Sequence, residues 1–270
     1  MERFWRSLPM KTVILCGGKG TRIRDVSDQI PKPMISIGNY PVLWHIMRGY
    51  AADGFQDFIL CLGHKGAVIK DFFRHYRETI STFTIDFAKG GEITHEDFHE
   101  DIEWRVTLAD TGEESLTGSR VKRIERFIGK DEYFLLTYGD GVSDVPVAKM
   151  VEFHKVHGKA MTVCGVRPPG RFGELEANDI GQITEFNEKP QATGGRISGG
   201  FFVCSRKVLD YLDPTRADEV LETGPMRNLA RDGELMMYRH DGFWQCMDTY
   251  RDYSLLNELW NADKAPWRKW

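Results

Sequence analysis

Short, continuously apolar segments alternate along the chain with longer segments in which apolar residues recur at helical spacing. Four segments predict strands buried on both faces, because they lack the alternating polar positions of a half-exposed strand: KTVILC (11–16), DFILCL (57–62), YFLLTY (133–138) and AMTVCGV (160–166). Three segments predict helices: PVLWHIMRGYAADG (41–54), GAVIKDFFRHYRETI (66–80) and VPVAKMVEFHKVHG (145–158). This alternation predicts an α/β fold with right-handed crossovers and a mixed, mainly parallel central sheet carrying helices on both faces.

The pattern changes in two places. Residues 82–109 alternate apolar and polar positions around a Lys-Gly-Gly turn, which predicts a small antiparallel β excursion instead of another crossover. Strand-like segments return between residues 178 and 204, and helices are expected to close the chain. Because no repeat or linker divides the sequence, we expect a single domain over residues 10–270, with residues 1–9 as an N-terminal extension.

Composition and charge narrow the classes of partner. The 270 residues are 41% hydrophobic and 28% charged, and the formal net charge is -4. The net charge of the chain therefore does not attract nucleic acid or an anionic membrane. No segment approaches the roughly 18 apolar residues that a membrane span needs. The cysteines are odd in number, widely spaced and without a CxxC pair, which predicts reduced, buried thiols and a cytoplasmic location.

The segment CGGKGTR (16–22) directly follows the first predicted strand, at the end of a parallel sheet where ligands gather. Its glycines allow backbone N–H groups to approach an anion, while Arg22 and the nearby Lys32 add positive charge. It matches neither the dinucleotide-binding GxGxxG pattern nor the Walker pattern, so a phosphate cradle of another kind is predicted. The alternative is an ordinary glycine turn with two solvated cations.

Two aspartates are candidates for holding a metal ion. Asp140, in TYGDGVSD (137–144), follows a predicted buried strand and should lie at the same sheet edge as the glycine segment. Carboxylates suit Mg²⁺, which completes its coordination with water and substrate phosphates. The alternative is a tight Gly-Asp-Gly turn. Asp248, in GFWQCMDTYRD (242–252), offers a second carboxylate, although an aspartate at that position is also typical of a helix cap.

A third group of short polar or glycine-rich elements lies in PPGRFGEL (168–175), EFNEKP (185–190) and ISGGFF (197–202). Glu188 is suited to sugar hydroxyls and Lys189 to a phosphate. An adjacent Glu-Lys pair before proline is equally typical of a surface turn.

Two further motifs are rejected because their surroundings are wrong. HEDFH (95–99) satisfies the HExxH pattern of zinc proteases, but that motif needs an amphipathic helix, and acidic residues crowd this strand-like segment. DTG (110–112) occurs in aspartic proteases, but one copy supplies only half of their carboxylate pair. Both are expected to be polar surface or ligand-facing loops.

The order of GGKGTR, PKPM, GDGVSD, EFNEKP and CMDT resembles the sugar-1-phosphate nucleotidyltransferase family over nearly the whole chain from Met10. Longer segments, among them VTLADTGEESLTGSRVKRI and the ending KAPWRKW, are similar to members that act on CTP and glucose 1-phosphate. The resemblance implies a Rossmann-like nucleotide-diphospho-sugar transferase fold and Mg²⁺-assisted, in-line attack of the sugar phosphate on the α-phosphorus of CTP. It also implies a homo-oligomer whose product, CDP-glucose, serves deoxysugar synthesis for lipopolysaccharide O-antigen.

The resemblance assigns roles to residues at matching positions. It implies nucleotide binding by Leu15, Gly17, Gly18, Gly20, Thr21, Arg22, Lys32, Thr111, Thr117, Gly118, Arg120 and Gly139. It implies sugar-phosphate binding by Gly173, Glu188, Lys189, Ser198, Gly199 and Gly200. Mg²⁺ would be shared by Asp140 and Asp248, and the catalytic residues would be Arg22, Lys32 and Asp140.

Several alternatives stay open at this point. Ser198 stands where the family has Asn, and Ser119 stands where it has a second Gly, so the preference for sugar and base is less constrained than the reaction. A related transferase using another sugar phosphate, small phosphate ester or nucleotide is one alternative, and a non-catalytic nucleotide-sensing module is another. Trp260, Trp267 and Trp270 are suited either to a subunit interface or to the chain's own core.

Overall fold

The computed structural model describes residues 10–18, 30–96, 102–168, 174–177, 182–187 and 195–270. The strands within these ranges are β1 (Lys11–Leu15), β2 (Ser36–Ile37), β3 (Tyr40–Pro41), β4 (Asp57–Leu62), β5 (Thr82–Asp86), β6 (Glu92–Glu96), β7 (Arg105–Asp110), β8 (Tyr133–Tyr138), β9 (Gly141–Ser143), β10 (Met161–Val166), β11 (Glu174–Ala177), β12 (Ile183–Asn187), β13 (Ile197–Ser205), β14 (Leu235–His240) and β15 (Trp244–Cys246). The α-helices are α1 (Val42–Ala52), α2 (Gly66–Arg74), α3 (Tyr76–Ile80), α4 (Thr117–Arg123), α5 (Glu125–Ile128), α6 (Val147–His157), α7 (Pro225–Arg231) and α8 (Tyr250–Asn261). Short 3₁₀ helices span Lys32–Met34, Phe87–Lys89 and Arg206–Tyr211.

A seven-stranded central sheet has the order β14-β10-β13-β8-β1-β4-β7. Strands β8, β1, β4 and β7 pair in parallel, as do β10 and β14, whereas β13 runs antiparallel to both of its neighbours. Consecutive residues of β1 enter separate cores, because Val13 belongs to the apolar cluster on one face and Ile14 to the cluster on the other. The predicted α/β fold with a mainly parallel sheet is therefore confirmed, and all four predicted buried strands lie in that sheet.

Two predictions about individual elements were wrong, and one strand was missed. The segment 66–80 forms two helices, α2 and α3, separated at His75. The antiparallel excursion is confined to the hairpin of β5 and β6, since β7 pairs in parallel with β4. Strand β14 was not predicted. Both β7 and β14 are edge strands that bury only some of their side chains, so they lack the continuous apolar pattern of the inner strands.

Two antiparallel pairings bring distant segments to the ligand edge of the sheet. Because β13 runs against β8, Phe201 in the middle of β13 lies opposite Thr137, and Gly200 lies against Tyr138 at the end of β8. The small pair β9 and β15 places Gly141 opposite Cys246. The residue before β9 and the residues after β15 therefore lie side by side.

The aromatic cluster consists of His45, Trp44, Trp260, Trp267 and Trp270, whose rings contact one another at 4.6–6.2 Å between centroids. Trp267 is only 1% exposed, and its indole N–H donates to His45 Nδ1 at 3.4 Å. The terminal tryptophans were suited either to a subunit interface or to the chain's own core. Trp267 packs in the core.

The thiols agree with the prediction of reduced, buried cysteines. All five cysteines are free, and four of them are buried. Across the described ranges, none of the helices combines the length and apolar character needed to traverse a bilayer.

Candidate active site

The ends of β1 and β8 approach each other closely at the centre of the sheet. Gly139 N donates to Leu15 O at 3.0 Å, and a Cβ added to Gly139 would lie 2.9 Å from Pro33 Cγ. Only a residue without a side chain fits there. Gly17 and Gly18 continue from β1 at this point, while Gly20, Thr21 and Arg22 lie outside the described residues.

Lys32, Asp140 and Asp248 form a charged cluster at this edge. Lys32 Nζ lies 2.6 Å from Asp140 Oδ2 and also donates to Asp248 Oδ1. The three side chains are 13%, 31% and 23% exposed, respectively, so they are shielded but reachable from solvent. Burial lowers the pKa of Lys32, but the two carboxylates outweigh burial and the pKa lies above its ordinary value. The ammonium is therefore charged at neutral pH.

Pairing of β9 with β15 positions the two aspartates. Met247 N donates to Asp140 O at 2.8 Å, which joins the segment before β9 to the segment after β15. Helix α8 begins with Thr249 as its N-cap, and Asp252 completes the capping box. Asp248 is therefore not the cap of α8, and its carboxylate is directed to Lys32.

The donor set of this cluster fits a magnesium ion. Two carboxylates converge on one cation, the Lys32 ammonium, and Mg²⁺ typically takes one or two carboxylates together with water and substrate phosphates. Within the described part of the chain, no group of three or more His, Cys, Asp or Glu side chains could enclose a metal by itself. The first two residues of the zinc-protease motif, His95 and Glu96, lie in strand β6, and residues 97–99 lie outside the described residues.

A first cavity of about 260 Å³ opens beside the charged cluster. Its lining includes these residues predicted to bind nucleotide: Leu15, Gly17, Gly18, Lys32, Thr117, Arg120 and Gly139. Two other predicted residues are not among its lining. Thr111 is buried, and its hydroxyl donates to Leu62 O at 2.7 Å. Gly118 N donates to Glu219 O at 2.9 Å.

Arg120 donates hydrogen bonds to carbonyl groups at the carboxyl ends of three strands. Arg120 is only 4% exposed. Its guanidinium donates to Gly17 O at 3.0 Å, Leu62 O at 3.0 Å and Gly112 O at 2.8 Å. Burial lowers the pKa of this guanidinium. A Cβ on Gly17 would lie 2.1 Å from Arg120 Cζ. Only glycine therefore allows this backbone to pack against the guanidinium.

A second cavity, of about 180 Å³, lies on the other side of the charged cluster. Ser198, Gly199 and Gly200 line it together with Asp140 and Asp248. The structure thus brings this predicted sugar-phosphate segment beside the two aspartates that are predicted to hold the metal. Gly173, Glu188 and Lys189 lie outside the described residues.

Backbone geometry fixes the wall of the second cavity. Gly200 has a φ of +77°, and a Cβ there would lie 2.5 Å from the ring of Tyr138, so this position requires glycine. The indole N–H of Trp244 donates to Gly199 O at 2.7 Å. Tyr138 and Asp140 line both cavities, which places them between the two ligands that the cavities would hold.

Sequence reasoning missed Tyr138, Glu222 and Trp244. Glu222 lines the first cavity and accepts a hydrogen bond from the Tyr138 hydroxyl. Burial raises the pKa of Tyr138, so its hydroxyl remains a donor across the physiological range. Glu222 lies in DEVLETG (218–224), which has the composition of an ordinary polar turn, and no pattern in the sequence separates it from other surface acids.

Comparison with known proteins identifies the family of the chain. A family model described as Nucleotidyl transferase matches residues 11–260. The glucose-1-phosphate cytidylyltransferase of Salmonella typhimurium (strain LT2) is 47% identical over 262 residues, covering 97% of this chain and 100% of that protein. The probable glucose-1-phosphate cytidylyltransferase of Bacillus subtilis (strain 168) is 43% identical over 261 residues, covering 97% of this chain and 100% of that protein.

Solved structures support the fold independently. A UTP-bound UGPase from Acinetobacter baumannii has a TM-score of 0.68 at 17% sequence identity, and the match covers 95% of this chain and 94% of that one. The resemblance inferred from the sequence motifs is confirmed by the family model and by both cytidylyltransferases. The chain therefore belongs to the nucleotidyl transferase family.

Proposed function

We propose that this chain transfers a cytidylyl group from CTP to α-D-glucose 1-phosphate and releases CDP-glucose and pyrophosphate. The observation that carries the proposal is the convergence of Lys32, Asp140 and Asp248 between two cavities at one sheet edge. The 47% identity to a glucose-1-phosphate cytidylyltransferase supports this choice of substrates.

The first cavity holds the nucleotide in this proposal, and the second holds the sugar phosphate. The phosphate oxygen of the sugar attacks the α-phosphorus in line, and pyrophosphate leaves, so no protein nucleophile is needed. Catalysis of this kind depends on positioning the reactants and on neutralising charge on the phosphate oxygens. Asp140 borders both cavities and therefore stands beside the point of transfer.

Asp140 and Asp248 would hold Mg²⁺, which when bound supplies positive charge to the phosphates. The Lys32 ammonium and the N–H groups of the glycine segment orient the triphosphate and reduce its repulsion of the second anion. Arg22, with Gly20 and Thr21, extends the phosphate site in this proposal.

The remaining predicted site residues complete the proposal. Glu188 binds sugar hydroxyls, and Lys189 binds the sugar phosphate, beside Gly173 and the Ser198–Gly200 segment. The enzyme works as a cytoplasmic homo-oligomer and supplies CDP-glucose for deoxysugar synthesis.

Substrate identity is tested by incubating the purified protein and Mg²⁺ with each of the four ribonucleoside triphosphates and a panel of sugar 1-phosphates. Pyrophosphate release and the mass of the nucleotide sugar are measured. We expect the highest kcat/KM for CTP with glucose 1-phosphate, and loss of turnover when Mg²⁺ is chelated. A higher kcat/KM for another pair would assign a related transferase activity. Tight nucleotide binding without pyrophosphate release would instead identify a nucleotide-sensing module.

A further inference from the structure

The carboxylate of Glu222 is held in the first cavity by two hydroxyl groups from distant parts of the chain. The Tyr138 hydroxyl donates to Glu222 Oε1, and Thr117 Oγ1 donates to Glu222 Oε2 at 3.0 Å. Leu221 N donates to Thr117 Oγ1 at 2.9 Å, which directs the proton of that hydroxyl towards the carboxylate. Both oxygens of Glu222 are therefore fixed in position before any ligand binds.

Glu222 contacts two segments that line the first cavity. Gly17, Gly18, Lys32 and Asp140 mark the end suited to the triphosphate. Ser115 and Leu116 line the same cavity from the segment that precedes α4, which suits the base. Tyr138 immediately precedes Gly139 and Asp140, and Thr117 immediately follows Leu116. A carboxylate that bonds both Tyr138 and Thr117 therefore joins the segment beside the charged cluster to the segment at the start of α4, a position that suits the ribose of a bound nucleotide.

The chemistry of a carboxylate limits what it can bind there. It repels phosphate, and an ionised carboxylate accepts hydrogen bonds but donates none. Its two oxygens offer about four acceptor positions, of which the two hydroxyls occupy two. The middle of a ribonucleotide presents two adjacent donors, the 2′ and 3′ hydroxyls of ribose. An acidic side chain that accepts from a ribose hydroxyl is also the arrangement used in dinucleotide-binding folds.

We infer that Glu222 binds the ribose hydroxyls of the nucleoside triphosphate and makes the enzyme selective for ribonucleotides over nucleotides that lack both of these hydroxyls. The inference rests on the proposed function in that it takes the first cavity as the nucleotide site. Glu222 is a specificity-determining residue in this assignment, while Tyr138 and Thr117 are positioning residues that orient its carboxylate. The 3′ hydroxyl takes no part in the transfer, so its recognition is separable from the chemistry.

The test compares CTP with 2′,3′-dideoxy-CTP, which lacks both hydroxyls, in the wild type, Glu222→Ala and Glu222→Gln. We expect Glu222→Ala to lower kcat/KM for CTP by about 10- to 100-fold, since hydrogen bonds to a charged group are among the stronger ones. The value for 2′,3′-dideoxy-CTP should change by less than about threefold. Glu222→Gln, which retains one acceptor and the size of the side chain, should show a smaller loss in the same direction.

Asp218→Asn is the matched control, because Asp218 is an exposed acid in the same segment, with a side chain that is 75% exposed. It should leave both nucleotides unaffected. Tyr138→Phe keeps the ring beside Gly200 but removes the hydroxyl, so discrimination between the two nucleotides should fall to an intermediate value.

Two outcomes overturn the inference. An equal loss for CTP and 2′,3′-dideoxy-CTP would show that Glu222 only supports the fold. A change in the ratio of CTP to UTP, with the ratio of CTP to its dideoxy analogue intact, would assign Glu222 to the cytosine amino group instead.

Calorimetric binding of the same nucleotides separates this inference from the proposed function. If the wild type binds CTP more tightly than its dideoxy analogue but releases no pyrophosphate, the proposed function fails and the assignment of Glu222 stands. If wild-type turnover is as proposed and Glu222→Gln retains full discrimination, the assignment fails and the function stands. Circular dichroism of each variant confirms that the fold is retained.

Discussion

The charged cluster of Lys32, Asp140 and Asp248 and the aromatic cluster around His45 are built in opposite ways. Each brings the last part of the chain against the first fifty residues. In the charged cluster, side chains that are 13–31% exposed keep their charges within reach of solvent. In the aromatic cluster, His45 and Trp267 are each 1% exposed. The first arrangement suits ligand chemistry, and the second contributes to stability by excluding water.

The largest effect is expected in the charged cluster. Asp140→Asn preserves the shape of the side chain but removes a charge from the proposed magnesium site. We predict a loss of kcat of roughly 10⁴-fold, about 5 kcal/mol in activation free energy at ~1.36 kcal/mol per tenfold. The melting temperature should change by only a few degrees. Steady-state pyrophosphate release and thermal unfolding measure the two effects, and full Mg²⁺-dependent turnover would remove Asp140 from the mechanism.

The next largest effect is expected in the aromatic cluster, where a substitution should lower stability and leave kcat nearly unchanged. Trp267→Ala leaves a void among rings that are otherwise in contact, and should lower the free energy of unfolding by about 4 kcal/mol. The kcat of the folded protein should stay within about twofold. Urea unfolding and assays well below the melting temperature provide the two measurements. Trp267→Phe is the control, with a smaller loss of stability; a large fall in kcat for either variant would contradict the separation of the clusters.

Acid should weaken the aromatic cluster. Burial lowers the pKa of His45 to about 4, although its hydrogen bonds to backbone carbonyls act in the opposite direction. The folded-state pKa lies below the unfolded value of about 6.5, so the stabilisation is complete above that pH. It is lost as pH falls towards 4, by up to about 3 kcal/mol at ~1.36 kcal/mol per pKa unit. Urea unfolding between pH 7 and 4.5 should show this decline.

The control for the acid effect is His45→Gln, which removes the titrating ring. Its stability should fall less steeply with pH, because unfolding then takes up one proton fewer. An identical slope in the wild type and the variant would show that His45 does not contribute.

The smallest effect tests whether any Lys-Asp pair behaves like the charged cluster. Lys11 and Asp131 form an ion pair of 2.5 Å with side chains that are 19% and 25% exposed, but neither lines the two cavities. Asp131→Asn should leave kcat unchanged and cost less than about 1 kcal/mol of stability. A loss of activity comparable to that of Asp140→Asn would show that the position of the pair is not what matters.

Much of the fold could be predicted because its inner strands are apolar on both faces. The edge strand β14 was missed, and β7 was assigned to the antiparallel excursion, because partial exposure breaks that pattern. Motif order alone predicted that Asp140 and Asp248 belong together, and the pairing of β9 with β15 supplies the physical reason.

Partners of individual side chains were not predictable in the same way. The carbonyls that bind Arg120 belong to Gly17, Leu62 and Gly112, which meet only after β1, β4 and β7 have paired. The bond from Tyr138 to Glu222 joins residues 84 positions apart. Neither contact leaves a local trace in the sequence, because both depend on where separate loops end in space.

The register of β13 has a consequence for how the second cavity can change. Phe201 is opposite Thr137 and Val203 is opposite Leu135, while the other edge of β13 is held by β10. A slip of one residue would turn every side chain of this strand to the opposite face. The floor at Ser198–Gly200 is thus held at one end by the ladder that starts at Phe201 and at the other by the pairing of Ser198 with Gly165, across a shift in register. Adapting this floor to a differently shaped acceptor would require exchanging side chains, since the strand itself cannot slide.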